Sequence, residues 1–178
     1  MSQKNILLHI CCGICSSYPI VKLREDGFNP VGFFYNPNID SEEEYTRRLS
    51  VAFDVAGRLA CDLIVGEYDK QGWSDEVIGL QNEPEGGARC VACFKMRLNV
   101  TCKKAQEMGG NYFTTTLTVS PHKNAVVINE IGHLISPESF IEYDFKKNDG
   151  FKQSMDFAGK HSLYCQHYCG CEYSRQKK

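Results

Sequence analysis

The chain has 178 residues, ten of them cysteine, with a formal charge of −2, 42% hydrophobic residues and 24% charged ones. That balance is ordinary for a globular protein; it argues against a generally basic nucleic-acid coat and leaves room only for a local basic patch. No apolar run nears the roughly 18 residues that span a bilayer, and MSQKNILLHICC is too short in apolar residues for a secretory leader, so the expectation is a single cytoplasmic domain over 1–178 with no membrane partner.

The predicted elements alternate. Residues 5–10 (NILLHI) read as a buried strand, and 16–27 as a helix ended by Gly27. A second strand over 29–38 is stopped by Pro37. A helix over 40–61 follows, with Asp40 or Ser41 as N-cap and an apolar face of Leu49, Phe53, Val55, Ala56 and Leu59. Residues 61–69 read as a third strand, 90–110 as a helix closed by Gly109 and Gly110, and 111–120 as a threonine-rich fourth strand. A helix over 122–135, a fifth strand over 139–145 and a last helix over 150–162 complete the pattern. Such alternation predicts an α/β fold, a mainly parallel sheet with helices on both faces. Ligands in such sheets bind beyond the carboxyl ends of the strands.

The cysteines gather at that place. In a reducing compartment ten of them do not make a structural disulfide framework, which points to metal binding or redox chemistry. Cys11, Cys12 and Cys15 follow the first strand, Cys90 and Cys93 open a helix, and Cys169 and Cys171 lie near the end. Cys61, Cys102 and Cys165 stand alone and read as small buried hydrophobes. Thiols at 90 and 93 share one helix face, where the macrodipole favours negative charge. Structural zinc needs a closed tetrahedral set, which adjacent side chains such as Cys11 and Cys12, expected to diverge, supply poorly. The irons of a cubane accept more varied directions, and all-thiolate ligation suits them. On the residues alone, an iron–sulfur cluster, a zinc site and a metal-free thiol–disulfide enzyme all remain open. A Cys169–Cys171 disulfide would close a small strained ring, labile enough to store electrons.

Five segments stand in one order: HICCGICS, CVACFKMRL, FTTTLTVSPHKN, YDFKKNDGFKQS and YCGCEYS. Over nearly the whole length they make the chain resemble the epoxyqueuosine reductase family of the QueH type. Gly13–Ile14 stands where that family more often has Ala–Pro. The resemblance implies a sheet like that of the nucleotide-binding α-hydrolases. It also implies the last step of queuosine biosynthesis: cobalamin-independent, two-electron reduction of epoxyqueuosine to queuosine at the wobble position of tRNA with a GUN anticodon. A 4Fe–4S cluster, an additional mononuclear iron and an external electron donor come with it.

The candidate residues follow from position. Cys11, Cys12, Cys90 and Cys93 are the expected cluster ligands, with Cys15 joining them as a metal ligand. Cys169 and Cys171 are expected in redox chemistry, and the catalytic proton donors are sought at His122, beside Lys123, and at Asp144, both after strands. Lys146, Lys147 and Lys152, with Lys160 and the tail SRQKK, form the expected tRNA patch. The wobble base would stack on Tyr35, Phe145 or Tyr164. His9, inside the first strand, reads as a hydrogen-bonded core residue. Two rivals remain: a PP-loop ATP-dependent tRNA-modifying enzyme, disfavoured because CCGICSS lacks a glycine-rich phosphate loop, and a non-enzymatic zinc module that binds RNA.

Overall fold

Residues Ile6, Leu8 and Ile10 of the first strand, β1 (Lys4–Ile10), face one side, and Leu7 and His9 the other; all five are buried. A strand covered on both faces behaves this way. The computed structural model, which describes residues 4–110 and 112–175, places β1 inside a four-stranded, all-parallel sheet. Its companions are β2 (Phe28–Phe34), β3 (Leu63–Val65) and β4 (Tyr112–Thr115), in the order β3–β2–β1–β4. Register is fixed by His9, level with Phe33 of β2 and Thr115 of β4.

The helices among the described residues are α1 (Ser17–Glu25), α2 (Glu42–Arg58), α3 (Lys70–Glu76), α4 (Ala88–Glu107), α5 (Ala125–Ile135), α6 (Gly150–Lys160) and the short α7 (Glu172–Arg175). Ile20 and Leu23 of α1, Val51, Ala52 and Val55 of α2 and Ala158 of α6 pack on the Ile6–Leu8–Ile10 face. Phe94, Leu98, Cys102 and Ala105 of α4, with Ile128 and Ile131 of α5, cover Leu7 on the other. The expected parallel sheet with helices on both faces is present.

Several boundaries differ, each for a local reason. The fourth strand stops at Thr115, because the Thr115 side chain accepts the Leu117 N–H (3.1 Å) and turns 116–119 into a 3-10 helix. The fifth strand shrinks to one parallel bridge, Phe113 with Phe140. Beyond it, Asn129 donates to the Tyr143 carbonyl and the Tyr143 hydroxyl reaches Asp26 (2.8 Å), drawing the chain off the sheet. Ser41, not Asp40, caps α2 by accepting from the Glu44 N–H. The buried face of that helix runs through Arg48, Val51, Ala52, Val55 and Ala56, and Phe53 is exposed. Residues 70–76, expected in no element, form α3.

The chain runs from β1 out to β2 and β3, then returns to lay β4 on the other side of β1. The strand order reverses between β1 and β4, and the crevice above their carboxyl ends is where such sheets bind ligands. Cys11 leaves β1 there, and Thr116 leaves β4. No helix among the described residues is long and apolar enough to cross a membrane.

Candidate metal centre

The turn after β1 is tied down from both sides. The Cys11 N–H donates to Thr116 Oγ1 (3.0 Å), and the same hydroxyl donates to Cys11 Sγ (3.3 Å). A 3-10 turn over Ile14–Ser16 then curls Cys15 back; Ser16 donates both its N–H (3.0 Å) and its hydroxyl (2.6 Å) to the Gly13 carbonyl. A Cβ at Gly13 would lie 2.5 Å from the backbone nitrogen of Ala52, so α2 presses directly on the turn and only glycine fits. The expected divergence of Cys11 and Cys12 does not occur. With Cys15 they bring three sulfurs within 4.8 Å of one another.

Shared protons and nearby cations divide these thiols. Hydrogen bonds from Cys12 and Cys15 hold Cys11 well below the ordinary thiol pKa, with Lys123 and Arg97 adding positive charge. Cys12 is pushed up to about 12, first by its hydrogen bond to Cys11, and Cys15 is raised for the same reason. Cys11 is therefore the first to ionise. Burial opposes charge on Lys123, but Cys169, Cys11 and Cys15 outweigh it and raise its pKa.

Arg97 is the more unusual cation. It is 1% exposed, and among the described residues no carboxylate pairs with it. One guanidinium nitrogen donates to Asn36 Oδ1, and Asn36 Nδ2 in turn donates to the Ile10 carbonyl (2.9 Å), next to Cys11. A buried unpaired charge is costly. Beside Cys11 and Cys93, its natural counter-charge is thiolate.

Cys90 and Cys93 sit in the first turns of α4, which begins at Ala88. The Gly86 N–H donates to Cys90 Sγ (3.2 Å). Burial pushes Cys93 up to about 11, against the positive charge of nearby Arg97. Cys93 packs with Trp73, Val77 and Cys171 in a small apolar cluster. Cys169 is near enough to Cys90, Cys93 and Lys123 to influence all three. The structure thus brings the tail cysteines to the same rim as the others. Both are free thiols, so the disulfide expected between them is not formed in this structure: Cys171 is directed into the apolar cluster with Trp73, and its thiol meets Ser174 Oγ (3.5 Å).

A clamp holds that tail. Arg48, 2% exposed, pairs with Glu44 (2.6 Å) and donates to the carbonyls of Cys169 (3.0 Å) and Tyr168 (3.2 Å). The Tyr164 hydroxyl donates to Glu44, the Tyr168 hydroxyl to Asp40 (2.9 Å), and the Asp40 N–H to the Gly170 carbonyl (2.9 Å). Gly170 has φ +121°, and a Cβ there would stand 2.9 Å from the Arg48 guanidinium.

His122 is exposed in the loop before α5, next to Lys123. Asp144 accepts from the Lys146 N–H (3.2 Å) and pairs with Lys146 Nζ (3.3 Å), which also donates to the carbonyls of Thr118 (3.2 Å) and Lys123 (3.1 Å). Lys146 is therefore a strut under the 118–123 loop, whereas Lys147, Lys152 and Lys160 are exposed. Tyr35 and Phe145 are buried in the core and unavailable to a base, which corrects that expectation. Residues 176–178 of the basic tail lie outside the described residues. His9 is a core residue as expected, bonded to Tyr35 and Thr115.

The sequence reading passed over Arg97, Asn36, Thr116, Trp73 and the Glu44–Arg48 pair. Arg97 carried a readable signal: four residues after Cys93, it shares that helix face. Asn36 and Thr116 carried none, because their role arises from β-strand register.

Fold and site define a cysteine-centred α/β protein with its chemistry at the carboxyl edge of a parallel sheet. The family model for "Epoxyqueuosine reductase QueH" matches residues 6–177. A relative from Staphylococcus epidermidis bearing that name is 38% identical, covering 99% of this chain and 78% of its own; one from Streptococcus pyogenes is 37% identical, covering 97% and 71%. The chain belongs to the epoxyqueuosine reductase QueH family, and is an oxidoreductase. Among solved structures, the U34-tRNA thiolase NcsA of Methanococcus maripaludis, with its [4Fe-4S] cluster, shares the fold at a TM-score of 0.56 and 15% identity, over 98% of this chain and 62% of that one. A predicted tRNA methyltransferase subunit from Methanocaldococcus jannaschii shares it at 0.60 and 14% identity, over 88% and 74%.

Proposed function

We propose that the chain reduces epoxyqueuosine to queuosine in tRNA at this thiol-lined edge. In this reading a 4Fe–4S cluster is held by Cys11, Cys12, Cys90 and Cys93, and Cys15 is left to an additional iron. The observation that carries the reading is three sulfurs within 4.8 Å of one another beside the buried Arg97 guanidinium, which has no carboxylate among the described residues. An all-thiolate centre is anionic, and this site supplies cations and unused N–H donors instead of acids. Cys11, Cys12 and Cys15 sit close because they share hydrogen bonds, and χ1 rotations open the group.

When bound, such a cluster supplies single electrons at a potential set by its surroundings. Converting the epoxide to the alkene takes two electrons and two protons, and the oxygen leaves as water. Oxidation of the Cys169 and Cys171 thiols to a disulfide releases two electrons and two protons, which matches that demand; an external donor then restores the dithiol. His122, exposed in the loop beside Lys123, is the proton donor in this reading. Asp144 supports the loop through Lys146. Lys123 offsets charge that develops near Cys11. Lys147 and Lys152 meet tRNA phosphates, and a tRNA substrate places the reaction in the cytoplasm.

The test is anaerobic incubation of the reconstituted protein with a strong reductant and tRNA carrying epoxyqueuosine, without cobalamin, followed by nucleoside mass analysis. Loss of one oxygen from the modified nucleoside is expected. An unchanged epoxide in the presence of protein with full iron and sulfide content contradicts the proposal.

A further inference from the structure

Two buried donors near Cys93 lack partners. Trp73 Nε1 and Arg97 Nε, on side chains 4% and 1% exposed, make no hydrogen bond among the described residues. Buried N–H groups are almost always satisfied, and an exception calls for an explanation. Trp73 packs with Cys93 in one small apolar cluster, and Arg97, one turn further along α4, shares the helix face of Cys93. A protonated thiol is a weak acceptor, whereas a thiolate ligand carries the charge and lone pairs to accept from both.

The surrounding structure serves this placement. Trp73 is the one buried residue of α3, whose remaining side chains face outward. Asp69 caps the helix by accepting the Gly72 N–H (2.8 Å), which sets the residue before the tryptophan. Tyr173 leans on the indole at 6.3 Å between ring centres. Arg97 is held from its far end by Asn36. A purely apolar role for residue 73 would not need an indole N–H in a dry site.

We propose that Trp73 and Arg97 are N–H···S donors to Cys93 and set the reduction potential of the cluster. This rests on the reading of Cys93 as a cluster ligand given above. N–H···S bonds withdraw electron density from the ligating sulfur and stabilise the reduced, more negative cluster, so they raise its potential. They make the site an easier electron acceptor from its external donor. Neither residue touches the substrate; both act through Cys93.

The experiment compares wild type with Trp73→Phe, which keeps the packing and removes the single donor. Both are loaded anaerobically, assayed for iron and sulfide, and titrated against redox mediators with the reduced cluster followed by electron paramagnetic resonance. Equal iron and sulfide content, with a roughly tenfold weaker reduction equilibrium in the variant (about 59 mV more negative for one electron), is expected. Arg97→Lys, which keeps the charge and removes the Nε donor, shifts the potential the same way. Identical potentials at full cluster content overturn the inference while leaving the cluster reading intact. A wild-type protein that takes up no iron and sulfide overturns the cluster reading, and the inference with it. If Trp73→Phe does not fold, the chain's single tryptophan still decides: its one ¹⁵N-indole resonance should be displaced by the loaded cluster through hyperfine contact, and an undisplaced resonance overturns the proposal.

Discussion

At the end of β1, one imidazole and two hydroxyls position the first thiol. His9 Nε2 donates to the Tyr35 carbonyl (3.0 Å), which assigns Nδ1 as acceptor from the Thr115 hydroxyl (2.8 Å). Burial first, then Arg97, lowers its pKa to about 3. The folded pKa lies below the ordinary histidine value of 6.5, so the unfolded chain binds more protons between the two. Stability is therefore lost as pH falls from 6.5 towards 3, by about 1.4 kcal/mol per pH unit at most. Urea unfolding of the cluster-free protein should show that slope, and His9→Gln should flatten it. Thr116→Val removes both the acceptor for the Cys11 N–H and the donor to its sulfur, and should cost about 1–3 kcal/mol on the same measurement. None of this was legible beyond His9 as a core histidine, since its partners and those of Cys11 come from the ends of the two neighbouring strands, far away in sequence.

Among the elements, α2 and the tail show where sequence patterns succeed and where they fail. Buried strands, N-caps and glycine stops mark β1, β2, α2 and α4, because those signals are local. The face of α2 was legible in part: Val55 and Ala56 are buried and Leu49 and Leu59 pack against the core, but Phe53 is exposed, and a hydropathy pattern cannot anticipate that Arg48 points inward to hold a carbonyl 120 residues away. Likewise α3 has no apolar period, only Trp73, and the bridge at Phe140 looks in sequence like a full strand. Arg48→Met leaves Glu44 buried without its cation and frees the carbonyls of Tyr168 and Cys169. It should destabilise the fold by about 3–5 kcal/mol and expose the tail to proteolysis after Tyr164. By contrast, Cys169→Ala with Cys171→Ala removes no clamp contact. Only Cys171 is buried, at 8% exposure, so the loss should be about 1 kcal/mol, while turnover of epoxyqueuosine should disappear. Retained turnover would pass electron storage to another group.

Seen whole, the molecule puts its thiols at the strand-order reversal and exposed Lys152 and Lys160 on the neighbouring α6, with exposed Lys147 in the turn before it; α6 packs on α1 and on the 3-10 turn carrying Cys15. That arrangement predicts that Lys147→Ala and Lys152→Ala each weaken tRNA binding and lower its log–log salt slope by about 1. The sheet and the cysteine clusters were legible because their signals are periodicity and spacing. The cations facing the thiols were not, because burial of an arginine is decided by tertiary packing. The measurement that tests the account most directly is iron and acid-labile sulfide analysis of anaerobically reconstituted wild type beside Cys12→Ser and Cys93→Ser. Wild type should hold iron and sulfide in equal amounts, about four of each per chain with iron in slight excess if the additional ion binds, and both variants should lose the cluster absorbance. Zinc without sulfide in wild type, or full iron and sulfide in both variants, would contradict it.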